Sequence, residues 1–239
     1  MKSIQVLVIS LAGSDDRQAK VRAELGKTQL PWRFLDAIHG SALMDPPKEY
    51  SANKVKRLLG FELTPNELGC FLSHKKAWQE CVYQNISTVI LEDDFYLLSH
   101  FEKTIDFLIN EYNDWDAVRL QGLNPVLQEL ICNADEISLV QNQGDAVGAS
   151  AYIIRPHTAK KLIDASCAIF EPLDHFLEHR QKHQLAFLAI NPYPVEITGV
   201  QSTIADRPSR PAIKGWKKLM RSMARILDRC FSKDPWFPK

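Results

Sequence analysis

Short apolar runs alternate with amphipathic stretches over the first 200 residues. Ile4 to Ile9 is uniformly apolar apart from Gln5 and predicts a first strand, not the core of a signal peptide, because Ser10 and the acidic pair Asp15-Asp16 follow closely. Asp16 to Leu25 predicts a helix. Trp32 to Ala37 predicts a second strand ending at Asp36, with a turn at His39-Gly40. Residues 41–63 read as irregular, since Asp45-Pro46-Pro47 blocks a helix. Thr64-Pro65-Asn66-Glu67 is a strong helix start: Thr64 can cap, Pro65 suits the first helical position and Glu67 completes a capping box. That helix should run to about Gln84.

Val89-Ile90-Leu91 then ends in three consecutive carboxylates, Glu92-Asp93-Asp94. A continuous apolar run of this length is the pattern of a buried parallel strand. Ligands of such sheets bind beyond the carboxyl ends of the strands. Three adjacent acids repel one another unless a cation neutralises them. Hard oxygen donors suit Mg²⁺ or Mn²⁺, which commonly also hold substrate phosphates. A metal–nucleotide site is one reading of the run; a solvated acidic turn is the other.

Further along, His100 to Asn110 predicts a helix and Ala117 to Leu120 a strand. Gly144 to Ser150 predicts a loop of mostly small residues, Ala151 to Ile154 a strand, and Pro156 to Ala165 a helix. Asp174 to Lys182 predicts another helix, and Val195 to Ile204 is a last segment after the Pro192 and Pro194 break. Strands alternating with helices indicate an α/β fold with a mainly parallel sheet.

Composition changes the picture little until charge is divided along the chain. The 239 residues are 45% hydrophobic and 24% charged, an ordinary globular balance, with a formal net charge of zero. Residues 1–206 carry 19 basic and 27 acidic side chains, whereas residues 207–239 carry 10 basic and 2 acidic. In that tail, Trp216, Leu219, Met220, Met223, Ile226, Leu227, Cys230 and Phe231 recur at helical steps against a basic face. It predicts an amphipathic helix lying on an anionic membrane surface, or else one packed on the domain. The expected division is a catalytic body over 1–206 and a basic tail over 207–239. Five scattered cysteines without a metal spacing fit a reducing cytoplasm. No Walker loop, GxGxxG or GxSxG is present, and basic-plus-aromatic content outside the tail is too sparse for nucleic-acid binding.

Several motifs taken in order resemble one family. They are Val6 to Leu11 with Arg17, Glu67 to His74, Val89 to Asp94, Gly148 to Ile154, and Pro172-Leu173-Asp174. Together, over about residues 4–205, the chain is similar to glycosyltransferase family 25, the bacterial lipopolysaccharide glycosyltransferases related to collagen galactosyltransferases. The resemblance implies a GT-A-like Rossmann-type nucleotide-diphospho-sugar transferase. It implies an inverting transfer of a hexose, often galactose, from a UDP-sugar, with divalent Mn²⁺ or Mg²⁺. It makes Glu92-Asp93-Asp94 the counterpart of a DxD motif, with Asp94 the direct metal ligand and Glu92 or Asp93 near the ribose or bridging phosphate; Asp93 is also a candidate ligand.

Inversion in one step needs a general base on the face away from the metal. Asp174 is the first candidate, although Asp is also a favoured helix cap, and Glu171 is the fallback. Arg17, Asp36, His74, Gly148 and Gln201 are candidate donor-binding residues. Each also has a plain structural explanation: surface helix, strand end, satisfied helix histidine, tight packing, and a low-specificity late position. The family often places a third metal ligand late in the chain, and no histidine stands convincingly there. The implied setting is cytoplasmic, peripheral to the inner membrane, on a lipid-linked oligosaccharide acceptor. A nucleotidyltransferase, a phosphohydrolase, or a non-catalytic membrane-associated module of the same fold would carry the same acidic run.

Overall fold

The structure is a computed structural model that describes residues 3–199. The chain begins β1 (Ile4–Ser10), α1 (Asp15–Leu25) and β2 (Trp32–Asp36), then makes a 3₁₀ turn over Gly40–Ala42. Next come α2 (Ala52–Leu59), α3 (Pro65–Gln84), β3 (Ser87–Glu92), β4 (Phe95–Leu97) and α4 (Phe101–Asp106), which runs into a π-helical turn over Phe107–Glu111. The second half holds β5 (Ala117–Arg119), β6 (Gln128–Ala134), β7 (Ile137–Asn142), β8 (Ala151–Ile154), α5 (Pro156–Ala165), α6 (Leu173–Glu178), α7 (Arg180–His183), β9 (Phe187–Asn191) and β10 (Val195–Ile197).

Eight strands form one sheet in the order β2-β1-β3-β8-β5-β9-β7-β6. β1 is parallel to both β2 and β3, and β5 is parallel to β9. β8 runs antiparallel between β3 and β5, and β7 runs antiparallel to β9 and β6. The α/β layering expected from the sequence is present, with the acidic run at the end of its parallel N-terminal half. Parallel pairing is confined to β2-β1-β3 and β5-β9.

Both sheet faces are covered, which is why the strands read as unbroken apolar runs. Leu7, Ile9, Ile90 and Tyr152 face one core with Phe71, Trp78, Leu162 and Phe176 from the helices. Val6, Val8, Val89, Leu91 and Ile153 face the other with Phe101, Leu108 and Trp115. The alternation follows the two-residue period of a strand.

α3 starts as its sequence dictates. Thr64 Oγ1 accepts the Glu67 amide at 3.2 Å, and Glu67 Oε2 accepts the Thr64 amide at 2.9 Å. Two glycines let the loop after β2 lie against this helix. A Cβ on Gly69 would stand 2.6 Å from the Ile38 carbonyl oxygen and 2.8 Å from the Gly40 nitrogen. Gly69→Ala is therefore expected to cost about 1–3 kcal/mol, read as a lower urea midpoint, because backbone must move to admit one methyl.

Three expectations differ from the structure. α2 lies within the stretch read as irregular: Val55 and Leu58 are buried from one face, and Gly60 stops the helix at φ 80°. The segment expected as one helix from Asp174 to Lys182 breaks at His179, whose ψ of 70° is not helical. Asp174 is not the cap of α6; Pro172 holds that position and Asp174 lies in the first turn. Gln201 and the whole basic tail lie outside the described residues. Among the described residues, no helix is long and apolar enough to cross a membrane.

Candidate active site

The carboxyl ends of the three parallel strands converge. Ile9 pairs with Glu92 and Ser10 with Asp36, so the ends of β1, β2 and β3 align. Beyond them lies a pocket of about 400 Å³. Its walls come from Ser10 at the end of β1, Arg17 of α1, Ala37 to Gly40 after β2, Cys70 and His74 of α3, and Glu92, Asp93 and Asp94.

The three acids are treated differently by their surroundings. Asp93 is clamped: Ser10 Oγ donates to Oδ2 at 2.7 Å and Arg17 Nη1 to Oδ1 at 2.8 Å. Glu92 accepts at Oε1 from His74 Nε2 at 3.3 Å and from the Cys70 thiol at 3.8 Å, and at Oε2 from Ser150 Oγ at 3.2 Å. Burial would raise its pKa, but the His74 hydrogen bond and charge, with Ser150 and Cys70, hold it below the usual carboxylate value. Asp94 is the least supported: its Oδ1 is buried without a hydrogen-bond partner. Burial, and then the charges of Glu92 and Asp93, push its carboxyl up to about 6, with Arg17 opposing.

Asp94 makes the metal-free protein pH-sensitive. Its folded pKa of about 6 exceeds the ordinary aspartate value of about 3.9, so the folded state holds the proton more tightly than the unfolded one. Relative to Asp94→Asn, stability of the metal-free wild type is intact below about pH 4, falls between about 4 and 6, and is flat above. After discounting for solvent screening, the variant should be the more stable by about 1–2 kcal/mol at pH 7, read from urea midpoints in EDTA.

A buried relay fixes His74. Trp78 Nε1 can only donate, and it does so to the Tyr152 oxygen at 2.9 Å. The same Tyr152 oxygen lies 2.8 Å from His74 Nδ1. The other ring nitrogen, Nε2, faces the Glu92 carboxylate and donates to it. His74 is 1% exposed and Tyr152 stacks against it, so the ring has no room to turn. Ser10, Cys70, Tyr152 and Ser150 complete the setting of the acids; the sequence pattern marked them as motif members without roles.

The remaining candidates lie elsewhere. Asp36 is exposed at the end of β2, and its carbonyl accepts from Lys76 Nζ at 2.8 Å. Glu171 is buried between Lys182 and His179, with the His179 contact at 2.6 Å. Burial opposes ionisation there, but His179 and Lys182 outweigh it and hold its pKa low. A carboxylate bound by two basic groups makes a poor proton acceptor. Asp174 is half-buried and accepts the His175 amide at 2.9 Å. Gly148 adopts φ 92°, and its carbonyl accepts from the buried Arg119. None of these four lines the pocket.

A hard divalent cation fits the acidic run. Asp94 Oδ1 is the orphaned buried atom such an ion would satisfy, and the oxygen donors match Mg²⁺ or Mn²⁺. The model of glycosyltransferase family 25 (LPS biosynthesis protein) matches residues 3–177. The chain belongs to that family. Among curated relatives, procollagen galactosyltransferase 1-A of Xenopus laevis is 24% identical over 231 positions, covering 84% of this chain and 38% of the relative. Inactive glycosyltransferase 25 family member 3 of Homo sapiens is 29% identical over 184 positions, covering 72% and 31%. The family 25 chain thus spans under two fifths of the length of the curated relatives it matches. A solved Drosophila β1,4-galactosyltransferase 7 mutant, complexed with manganese, UDP-Gal and xylobiose, superposes with a TM-score of 0.40 at 10% identity, covering 92% of this chain and 79% of that one. A likeness at that level transfers no residue role.

Proposed function

We propose that this family 25 chain moves a hexose from a UDP-sugar onto a hydroxyl of a lipopolysaccharide or lipooligosaccharide core, inverting the anomeric configuration. The observation that carries the proposal is Asp94: a charge-crowded carboxyl with one buried oxygen unbonded, beside a clamped Asp93, at the ends of parallel strands, in a pocket of about 400 Å³. Galactose is the sugar the procollagen relatives' names support, and the family description supports the lipopolysaccharide acceptor.

Asp94, with Asp93 beside it, would hold Mn²⁺ or Mg²⁺, which when bound supplies Lewis-acid stabilisation of the leaving diphosphate. Ser10 and Arg17 keep Asp93 from swinging away. The His74 Nε2 proton and Ser150 keep Glu92 ionised and oriented. Ala37 to Gly40 also line the pocket and would border the nucleoside. Asp174 is the proposed base that takes the acceptor hydroxyl proton, since Glu171 is already neutralised by Lys182 and His179. The basic amphipathic tail would hold the enzyme on the cytoplasmic face of the inner membrane, where a lipid-linked acceptor is presented.

The test is UDP release from UDP-galactose, UDP-glucose and their N-acetyl forms, with Mn²⁺ or EDTA and a deacylated core oligosaccharide. Metal- and acceptor-dependent release with one donor supports the proposal and names the sugar. Pyrophosphate in place of UDP indicates a nucleotidyltransferase. A non-catalytic module is favoured by one observation, the relatives named inactive. Folded protein that releases no UDP with any donor, yet binds anionic liposomes, would support that alternative.

A further inference from the structure

The geometry points to a second cation site beside the acidic run, in which Cys70, His74 and Glu92 take a zinc-class ion. Among the described residues this is the group of three Cys, His or carboxylate side chains whose ligand atoms all lie within 4.8 Å of one another. Cys70 and His74 are four residues apart on α3 and share a helix face one turn apart. Glu92 meets them from the end of β3.

Two of the three edges are close to those of a tetrahedral site. Zinc bonds of about 2.0–2.3 Å give ligand-to-ligand edges of about 3.3–3.6 Å. His74 Nε2 lies 3.3 Å from Glu92 Oε1, and Cys70 Sγ lies 3.8 Å from the same oxygen. All three side chains line the pocket, which leaves the fourth position open to water. His74 Nδ1 already has an outer partner in Tyr152, as metal-bound histidines usually do.

Binding rearranges the protons in a defined way. The Cys70 thiol gives its proton to solvent. His74 presents Nε2 to the ion, any proton there passing to solvent, and holds one on Nδ1, where a lone pair of the Tyr152 oxygen accepts it. Thiolate and imidazole prefer Zn²⁺ to Mn²⁺, which stands at the weak end of the divalent series. The two sites therefore divide by chemistry: oxygens of Asp93 and Asp94 for a hard ion, sulfur and nitrogen for a soft one. They share the strand end, so a soft ion draws Glu92 away and adds positive charge beside Asp94. Zinc should then inhibit transfer, a consequence that rests on the function proposed above.

Cobalt is the probe, because thiolate-bound Co²⁺ absorbs strongly and d–d bands report tetrahedral geometry. One equivalent of Co²⁺ added to the full-length chain should give a thiolate charge-transfer band, displaced by Zn²⁺. Cys70→Ser should remove the band and His74→Gln should weaken it, while Asp94→Asn and Cys167→Ser keep it. No band in the wild type, a band surviving in Cys70→Ser, or loss in Asp94→Asn would overturn the site. In transfer assays with Mn²⁺, half-inhibition of Cys70→Ser, scaled to its own zinc-free rate, should need at least tenfold more Zn²⁺ than wild type; equal sensitivity overturns the inhibitory role. A cobalt band in a chain that releases no UDP leaves the site standing and defeats the transferase proposal alone.

Discussion

Asp94→Ala is expected to lower UDP release by about 1,000-fold or more, with metal-supported UDP binding lost in calorimetry. The reason lies in the inequality among the three acids. Asp93 already has Ser10 and Arg17, and Glu92 has His74, Ser150 and Cys70, so each is satisfied by the protein alone. Asp94 Oδ1 is satisfied by nothing in the chain. A group that crowds charge at a cost to stability, and repays it only when a cation arrives, is the one whose removal should silence the site. The variant should fold at least as well as wild type in EDTA, which separates loss of function from loss of structure. Asp93→Asn should act differently: it removes the charge that Arg17 pairs with and raises KM for the donor more than it lowers kcat. Transfer by Asp94→Ala within tenfold of wild type would remove Asp94 from the mechanism.

Arg119→Met should destabilise the fold by about 3–5 kcal/mol, lowering Tm by about 6–20 °C. Arg119 is 2% exposed, with Nη2 2.8 Å from Glu178 Oε1, Nη1 donating to the Gly148 carbonyl, and its guanidinium 5.3 Å from the Phe187 ring centre. Burial lowers its pKa and Glu178 opposes that. Methionine fills the volume but leaves Glu178 and the Gly148 carbonyl without their cation. The effect should reach the active site, because Glu178 also accepts the Val147 amide at 2.8 Å. The same loop delivers Ser150, whose hydroxyl and carbonyl both bond to Glu92. The double variant Arg119→Met with Glu178→Leu should recover much of the loss, as buried ion pairs often do when both partners become apolar. A calorimetric Tm within 2 °C of wild type for the single variant would show that the pair adds nothing.

What could be read from the sequence followed local rules. The capping box of α3, the apolar strands β1, β3 and β8, and α5 opening on Pro156 lie where pattern and caps put them. The acidic run was visible because three carboxylates after an apolar run are rare without a purpose. α2 was hidden by the prolines before it, although Val55, Leu58 and Gly60 carried its signal. β6, β7 and β9 were not identified: β6 is an edge strand exposed over much of its length and lacks an apolar pattern, and β9 takes its place from partners far along the chain in β5 and β7. The relay from Trp78 through Tyr152 to His74 joins residues 74 and 78 positions apart, a distance no local pattern encodes. The engagement of Glu171 with Lys182 and His179 depends on how α6 and α7 break, which the sequence read as one helix.

The order of strands in the sheet also sets a schedule for synthesis. β3 sits between β1 and β8, so Ile4 pairs with Ser87 and Thr88 with Ile154. A growing chain that has made Glu92, Asp93 and Asp94 has no Ser150 to bond Glu92 and no Tyr152 to orient His74. Contacts this distant in sequence close late, after the entropy of long loops has been overcome. The ribosome must pass Ile154 before the acidic edge can exist, so a fragment ending earlier, however well its first helices form, carries the three carboxylates without a site.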